Sequence, residues 1–307
     1  MNITSLRIAT RQSNMALWQA NFIKQSLLEL YPKLQIELLG ITTKGDQIQD
    51  RSLADLGGKG LFVKALEVAL LDGQANLAVH SMKDVPPELP PNLKIAAILK
   101  RDDPHDVFVS NQYASIETLP PGAVIGTCSV RRQAQLLAYN PTLTIKPLRG
   151  NVNTRLAKLD AGEYDAIILA AAGLQRLQLT HRIRQFLDIK MMLPSVAQGA
   201  LGIEIVKHNN DTLLELLQEL NDHQTSLCVT AERTLVQALN GNCHSPIGAY
   251  ANIKNNILTI HGLVASIDGK QVVRATVNGS VRQAEQLALD CANKLLAQGA
   301  SLILSII

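Results

Sequence analysis

The chain has 307 residues, 47% of them apolar and 18% charged. That is long enough for two or three cores of about 100–150 residues each, and too apolar for a disordered chain. A net charge of +3 with only 3% aromatic residues excludes the basic, ring-rich surface that nucleic acid requires. Four cysteines, at 128, 228, 243 and 291, show no C-x-x-C spacing and read as free thiols of a reducing compartment. The N-terminus carries no secretion-signal pattern, and the longest apolar run, Ala166 to Leu174, is about half a membrane span. The expectation is a soluble, cytoplasmic chain.

Leu6 to Ala9 predicts a strand that runs into the turn Thr10-Arg11-Gln12-Ser13. A helix follows, with Leu17, Ala20, Ile23, Leu27, Leu28 and Leu30 on one broad stripe and Pro32 beyond its end. Leu34 to Ile41 predicts the next strand, Lys64 to Leu71 a helix, and Leu77 to Val79 a buried strand. This opens an α/β domain. The same grammar returns at Val124-Ile125-Gly126, which leads through Thr127-Cys128-Ser129 into a helix from about Arg131 to Tyr139. A strand from Leu143 to Leu148, a helix from Asn153 to Leu159 and the apolar run Ala166 to Ala170 complete the match. We read a weak internal duplication that gives two similar α/β lobes. Beyond about Asn221 the pattern changes to a helix, Ser226 to Leu239, with a stop at Asn240-Gly241. Strands at Ile247–Ile253, Ile257–Val264 and Gln271–Val277 follow, with hairpin signals at Asn255-Asn256 and Asp268-Gly269. A last helix, Val281 to Ala297, closes a small α+β domain.

In α/β lobes the turns after parallel strands line up at one sheet edge, where helix N-termini favour anions. Arg11 and Ser13 occupy such turns in the first lobe, and Thr127, Ser129, Arg131 and Arg132 in the second. Arg149, Arg155 and Arg176 follow predicted strand ends, as do Lys83 and Asp84. Positive charge at a helix start opposes the macrodipole, so Arg131-Arg132 needs an anionic partner. Arginine suits carboxylates, and the joint pattern predicts a cleft for several of them. Asp84 has two readings that chemistry alone leaves equal: an ion pair with Lys83, or a carboxylate that stabilises cationic chemistry. A free cysteine is most often inert and buried, but Cys243 sits in a short polar loop beside His244, which could help form a thiolate. Gly57-Gly58-Lys59-Gly60 completes neither phosphate-loop frame and reads as a mobile surface loop, with Phe62 either core or a stacking ring. The histidines show no metal-ligand spacing, so no metal is expected.

Several strings, in order, resemble the porphobilinogen deaminase (hydroxymethylbilane synthase) family over nearly the whole chain. They are Arg7 to Ser13, Gly57 to Phe62, Ala78 to Pro86, Thr127 to Arg132, Leu148 to Val152, Ala197 to Ala200 and Asn242 to Gly248. The resemblance implies two lobes of the type II periplasmic-binding-protein kind plus a small α+β C-terminal domain. It places lobe 1 at 1–99 with 200–217, lobe 2 at 100–199, and the third domain at 218–307. It implies a monomer with one covalent dipyrromethane cofactor, joined by a thioether to Cys243. Four porphobilinogen units would be condensed head to tail onto it with loss of ammonia, and 1-hydroxymethylbilane released by hydrolysis. Asp84 matches the catalytic carboxylate, beside the azafulvene cation that forms as ammonia leaves. Lys83, Asp84, Thr127, Ser129, Arg131 and Arg132 match cofactor contacts. Arg11, Ser13, Phe62, Arg149, Arg155, Arg176 and Gln198 match positions that hold substrate or growing chain. Asn242 stands where glycine is common and Cys128 where serine is frequent. Without the resemblance, the arginines alone would suit a cytosolic anion-binding or sensing protein on the same two lobes.

Overall fold

The computed structural model describes residues 3–43, 63–207, 211–242 and 245–305. The chain forms two compact units, 1–101 with 200–226, and 102–199 with 227–307.

The first unit opens with β1 (Ser5–Arg11), where buried Leu6 and Ile8 alternate with exposed Ser5 and Arg7 before the strand becomes buried on both faces at Ala9 and Thr10. Helix α1 (Asn14–Leu30) starts at Ser13, whose side chain accepts from the Ala16 amide at 3.3 Å. This N-cap satisfies one donor that the helix cannot. The buried stripe Ala16, Ala20, Ile23 and Leu27 returns at helical spacing and faces the sheet. Next come β2 (Gln35–Ile41), α2 (Lys64–Leu71), β3 (Leu77–Ser81), a 3-10 turn over Met82–Asp84, and β4 (Leu93–Ile98). Strand β10 (Leu201–Val206) returns from beyond the second sheet and lies between β3 and β4, giving the order β2-β1-β3-β10-β4. β1 runs parallel to β2 and β3, whereas β10 runs antiparallel to β3 and β4. One face packs Ile8, Ile23, Leu27, Val79 and Ile203 with Leu217 of α6 (Asp211–Gln218). The opposite face packs Ala9 and Ala78 with Leu66 and Leu70 of α2. Both faces of β3 and β10 are buried, which fits the apolar run Leu77 to Val79 in β3.

The second unit contains β5 (Asp106–Val109), β6 (Val124–Gly126), α3 (Val130–Tyr139), β7 (Thr144–Lys146) and α4 (Val152–Asp160). Then follow β8 (Ala166–Ala170), α5 (Ala171–Arg176) and the short β9 (Gln185–Phe186). The order is β7-β6-β8-β5-β9, with β6 parallel to β7 and β8, and β5 antiparallel to β8. Three parallel strands joined to an antiparallel one is also the scheme of the first sheet. The strand expected over Leu143–Leu148 is shorter because Pro147 has no amide to donate to a ladder. The apolar run Ala166 to Leu174 splits at Ala171 into strand and helix.

The rest of this unit is α7 (His223–Ala238), which crosses the boundary between the units, and the antiparallel meander β11 (Ile247–Lys254), β12 (Ile257–Ala265) and β13 (Val272–Ser280). Helices α8 (Ala284–Ala297) and α9 (Ala300–Ser305) close it. Asn255 and Asn256 both take positive φ, 53° and 59°, as a two-residue hairpin turn with primed geometry needs. The left-handed residue after α7 is Asn240, at φ 52°. Asn242 is not among the positive-φ residues, so its difference from glycine imposes no such strain. Where one helix was expected over 281–297, a 3-10 turn at Val281–Gln283 comes first, capped by Ser280.

Gly262 of β12 lies under two helices: a Cβ there would come within 2.8 Å of a Leu295 methyl, and 3.1 Å of Cys291 Sγ and of a Leu235 methyl. Overfilling a packed core costs about 1–3 kcal/mol. Gly262→Val is therefore expected to lower stability by about that amount, read as a fall in the urea midpoint at unchanged slope.

Candidate functional site

In the first unit the carboxyl ends of parallel β1 and β3 lie side by side, since Ala9 pairs with Ala78. Arg11 and Ser13 leave from the first, Lys83 and Asp84 from the second. Asp84 is exposed and Lys83 half-buried. The turn that carries them is held from several directions. Gln19 of α1 donates from Nε2 to Ser81 Oγ at 2.7 Å, and the Met82 amide donates to the Ala200 carbonyl at 3.0 Å. Beneath it, His80 Nε2 and Glu204 Oε2 lie 2.9 Å apart, both buried, and join β3 to β10.

In the second unit the edge formed by the ends of β6, β7 and β8 collects Thr127, Ser129, Arg149 and Arg176. Thr127 Oγ1 accepts from the Ser129 amide at 3.1 Å, and Ser129 caps α3 by accepting from the Arg132 amide at 3.4 Å. Asn151 caps α4 in the same way, accepting from the Thr154 amide at 2.9 Å. Arg155 folds back and donates from Nε to the Gly150 carbonyl at 2.8 Å.

Arg131 and Arg132 are not open to solvent. They are 4% and 6% exposed, and both point at Asp106, which opens β5 and is fully buried. Arg131 Nη1 lies 2.7 Å from Asp106 Oδ2 and donates to the Leu193 carbonyl at 2.7 Å. Arg132 donates to Asp106 Oδ1 from Nε at 3.1 Å and from Nη2 at 2.7 Å. Its Nη1 donates to the Ile168 carbonyl at 2.7 Å. Gln198 joins from the other side, with Nε2 at 3.0 Å from Asp106 Oδ1 and 2.8 Å from the Pro104 carbonyl. Burial alone would raise the Asp106 carboxyl, but the Arg131 and Arg132 charges outweigh it and hold the group well below the usual carboxylate range. The anionic partner that the paired arginines demanded is thus internal. Yet two guanidinium groups share one carboxylate, so the cluster keeps one surplus positive charge away from bulk water.

Arg176 is also buried. It donates from Nε to Asp102 Oδ2 and from Nη2 to the Gly199 carbonyl, both at 2.8 Å. Gln198 lies between two left-handed residues, Ala197 at φ 57° and Gly199 at φ 89°. The Ala197 amide donates to buried Glu232 at 2.6 Å, which holds an alanine where glycine would be the easier choice. Phe62, Cys243, His244 and the Gly57–Gly60 stretch lie outside the described residues. Asn242 and Ser245, on either side of Cys243-His244, are tied by an amide-to-hydroxyl bond of 3.1 Å and an amide-to-carbonyl bond of 3.1 Å. Asp106 and Glu232 are the residues that sequence reasoning missed. An acid that opens the buried run Val107-Phe108-Val109 was the available signal, because a carboxylate almost never lies buried unless paired.

Among the described residues no group of His, Cys, Asp or Glu is arranged to hold a metal ion, and no helix is long and apolar enough to cross a membrane. What the geometry defines is an α/β protein whose strand ends gather cationic and hydroxyl groups suited to small acidic molecules. Two family models match the chain: "Porphobilinogen deaminase, dipyromethane cofactor binding domain" over residues 6–214 and "Porphobilinogen deaminase, C-terminal domain" over 226–297. A porphobilinogen deaminase of Neisseria meningitidis serogroup A is 56% identical over 98% of this chain and 96% of its own length. One from Thiobacillus denitrificans is 52% identical over 98% of both. A solved methionine-binding protein overlaps 73% of this chain and 93% of its own at 13% identity and a TM-score of 0.47, too slight a likeness to bear on the fold. The chain belongs to the porphobilinogen deaminase family.

Asp106→Asn is expected to destabilise the chain by roughly 3–5 kcal/mol, because two buried guanidinium groups lose their counter-charge. A carboxyl depressed by folding stabilises above its unfolded value of about 3.9 and loses that contribution as pH falls towards its folded value. The gap between wild type and variant, read from urea midpoints, should therefore be constant above about pH 5 and narrow below about pH 4.

Proposed function

We propose that this chain condenses porphobilinogen units head to tail, with release of ammonia, on a covalently held dipyrromethane. The observation that carries the reading is the buried pair Arg131 and Arg132 with Asp106 as their one shared carboxylate. Every pyrrole of the product bears two acidic side arms, so the ligand supplies the negative charge that this cluster lacks. The residues fit an acidic group for that reason. When bound, dipyrromethane supplies the primer to which new rings are joined, and Cys243 would hold it through sulfur.

In this reading Lys83, Thr127, Ser129, Arg131 and Arg132 bind carboxylates of the primer. Arg11, Ser13, Phe62, Arg149, Arg155, Arg176 and Gln198 orient incoming units. Arg176 and Arg132 reach this role with most of their donors already engaged, so they contribute charge and shape more than new hydrogen bonds. Asp84 is the catalytic carboxylate: it faces the positive charge that develops on a substrate pyrrole as the amine departs, and a fixed opposite charge lowers that barrier. Its exposure leaves the carboxylate available to a ligand. The same reading keeps two lobes of the periplasmic-binding type II kind, at 1–99 with 200–217 and 100–199, and a third domain at 218–307. The matched strand order of the two five-stranded sheets supports it.

The intact purified protein is expected to outweigh its sequence by one dipyrromethane, and Cys243→Ser to remove the excess. An active preparation with only the sequence mass would sink the covalent primer. Asp84→Ala is expected to cut ammonia release from porphobilinogen about 10²–10³-fold with the fold intact by circular dichroism. Arg131→Leu should reduce the fraction of chains that carry the added mass, and full occupancy would count against its role.

A further inference from the structure

Gly202 has no backbone reason to be glycine. It pairs with His80 in the β3–β10 ladder, and its φ is not positive. Glycine inside a strand marks a place where something comes close. Here that something is Met82: a Cβ on Gly202 would collide with Met82 Sδ and lie 3.1 Å from its Cγ, whereas Ile95 would be at an ordinary 3.7 Å. Met82 is 1% exposed, so its side chain is fully sunk into the space that the missing Cβ leaves. The same residue begins the turn that ends at Asp84, its amide donates to Ala200 at 3.0 Å, and its carbonyl accepts from Val85 at 3.3 Å. The first residue of the turn is thus anchored twice, by its backbone amide and by a buried side chain packed over Gly202.

We propose that Gly202 is a positioning residue for Asp84: by admitting Met82 beneath the Met82–Asp84 turn, it sets the placement of the carboxylate without touching a ligand. The proposal rests on the reading of Asp84 as the catalytic carboxylate. A methyl group at 202 would lift Met82 or drive it sideways and carry the next two residues with it. Displacement of a reacting group by about 1 Å can cost on the order of 10²-fold in rate.

The test uses holoenzyme with equal covalent cofactor content, checked by intact mass, and three variants: Gly202→Ala, Met82→Ala and the double substitution. Gly202→Ala is expected to lower kcat for porphobilinogen consumption at least about tenfold while KM moves less than about twofold. Amide exchange across residues 80–86 should quicken as the Met82 to Ala200 bond loosens. Met82→Ala removes the plug and should also lower kcat; it serves as the readable arm if Gly202→Ala does not fold. The double variant, in which the new methyl enters space that Met82 has vacated, should exceed both singles in kcat and recover slow exchange. Full kcat in either single variant, or losses in the double that are simply the product of the two, overturns the proposal while Asp84→Ala remains inactive. Retained turnover in Asp84→Ala overturns the reading beneath it instead, whatever the exchange pattern.

Discussion

A carboxylate buried between two guanidinium groups is the constraint on which the second unit depends. Taking an ion out of water costs several kcal/mol, and only close pairing recovers it. Asp106 achieves this because β5 runs antiparallel to β8, which brings its first residue to the edge where α3 begins. Arg131 and Arg132 stand in the first turn of α3, where the macrodipole disfavours them, so Asp106 offsets an unfavourable placement as well as burial. Gln198 gives Asp106 a further donor, and the carbonyls of Leu193 and Ile168 accept from the two arginines. The arrangement is buried, closely hydrogen-bonded and still carries one surplus positive charge.

Much of the fold was legible because its strands are short apolar runs between turn residues. Val124–Gly126, Ala166–Ala170 and Lys64–Leu71 were read at their observed bounds. The errors have local causes: Pro147 cut a strand short, and Ser280 capped a 3-10 turn ahead of the last long helix. What periodicity could not show is pairing between distant segments. Nothing near Asp106 announces two arginines at 131 and 132, and nothing near His80 announces Glu204. Such contacts depend on strand order, which no window of neighbouring residues encodes.

The site was legible in a different way. The turn positions of Arg11, Ser13, Thr127 and Ser129 followed from the strand-turn-helix pattern, and the structure puts them at strand ends. The depth of Arg131, Arg132 and Arg176 did not follow, since a charged residue at a helix end is ordinarily solvated. Specific roles for Asp84, Gln198 and Cys243 came from the resemblance of whole strings to a family, because single residues of these types occur everywhere.

The insertion of β10 between β3 and β4 bears on how the polypeptide emerges from the ribosome. Residues 106–186 form a contiguous five-stranded sheet, so all its strands are available once that stretch has been synthesised. The first sheet must wait for residues 201–206, and until then β3 and β4 lack the strand that separates them. Open strand edges invite pairing with other chains. The segment made first thus completes its sheet later than the segment that follows it, and chaperone demand during translation should be greatest while β3 and β4 await their missing neighbour.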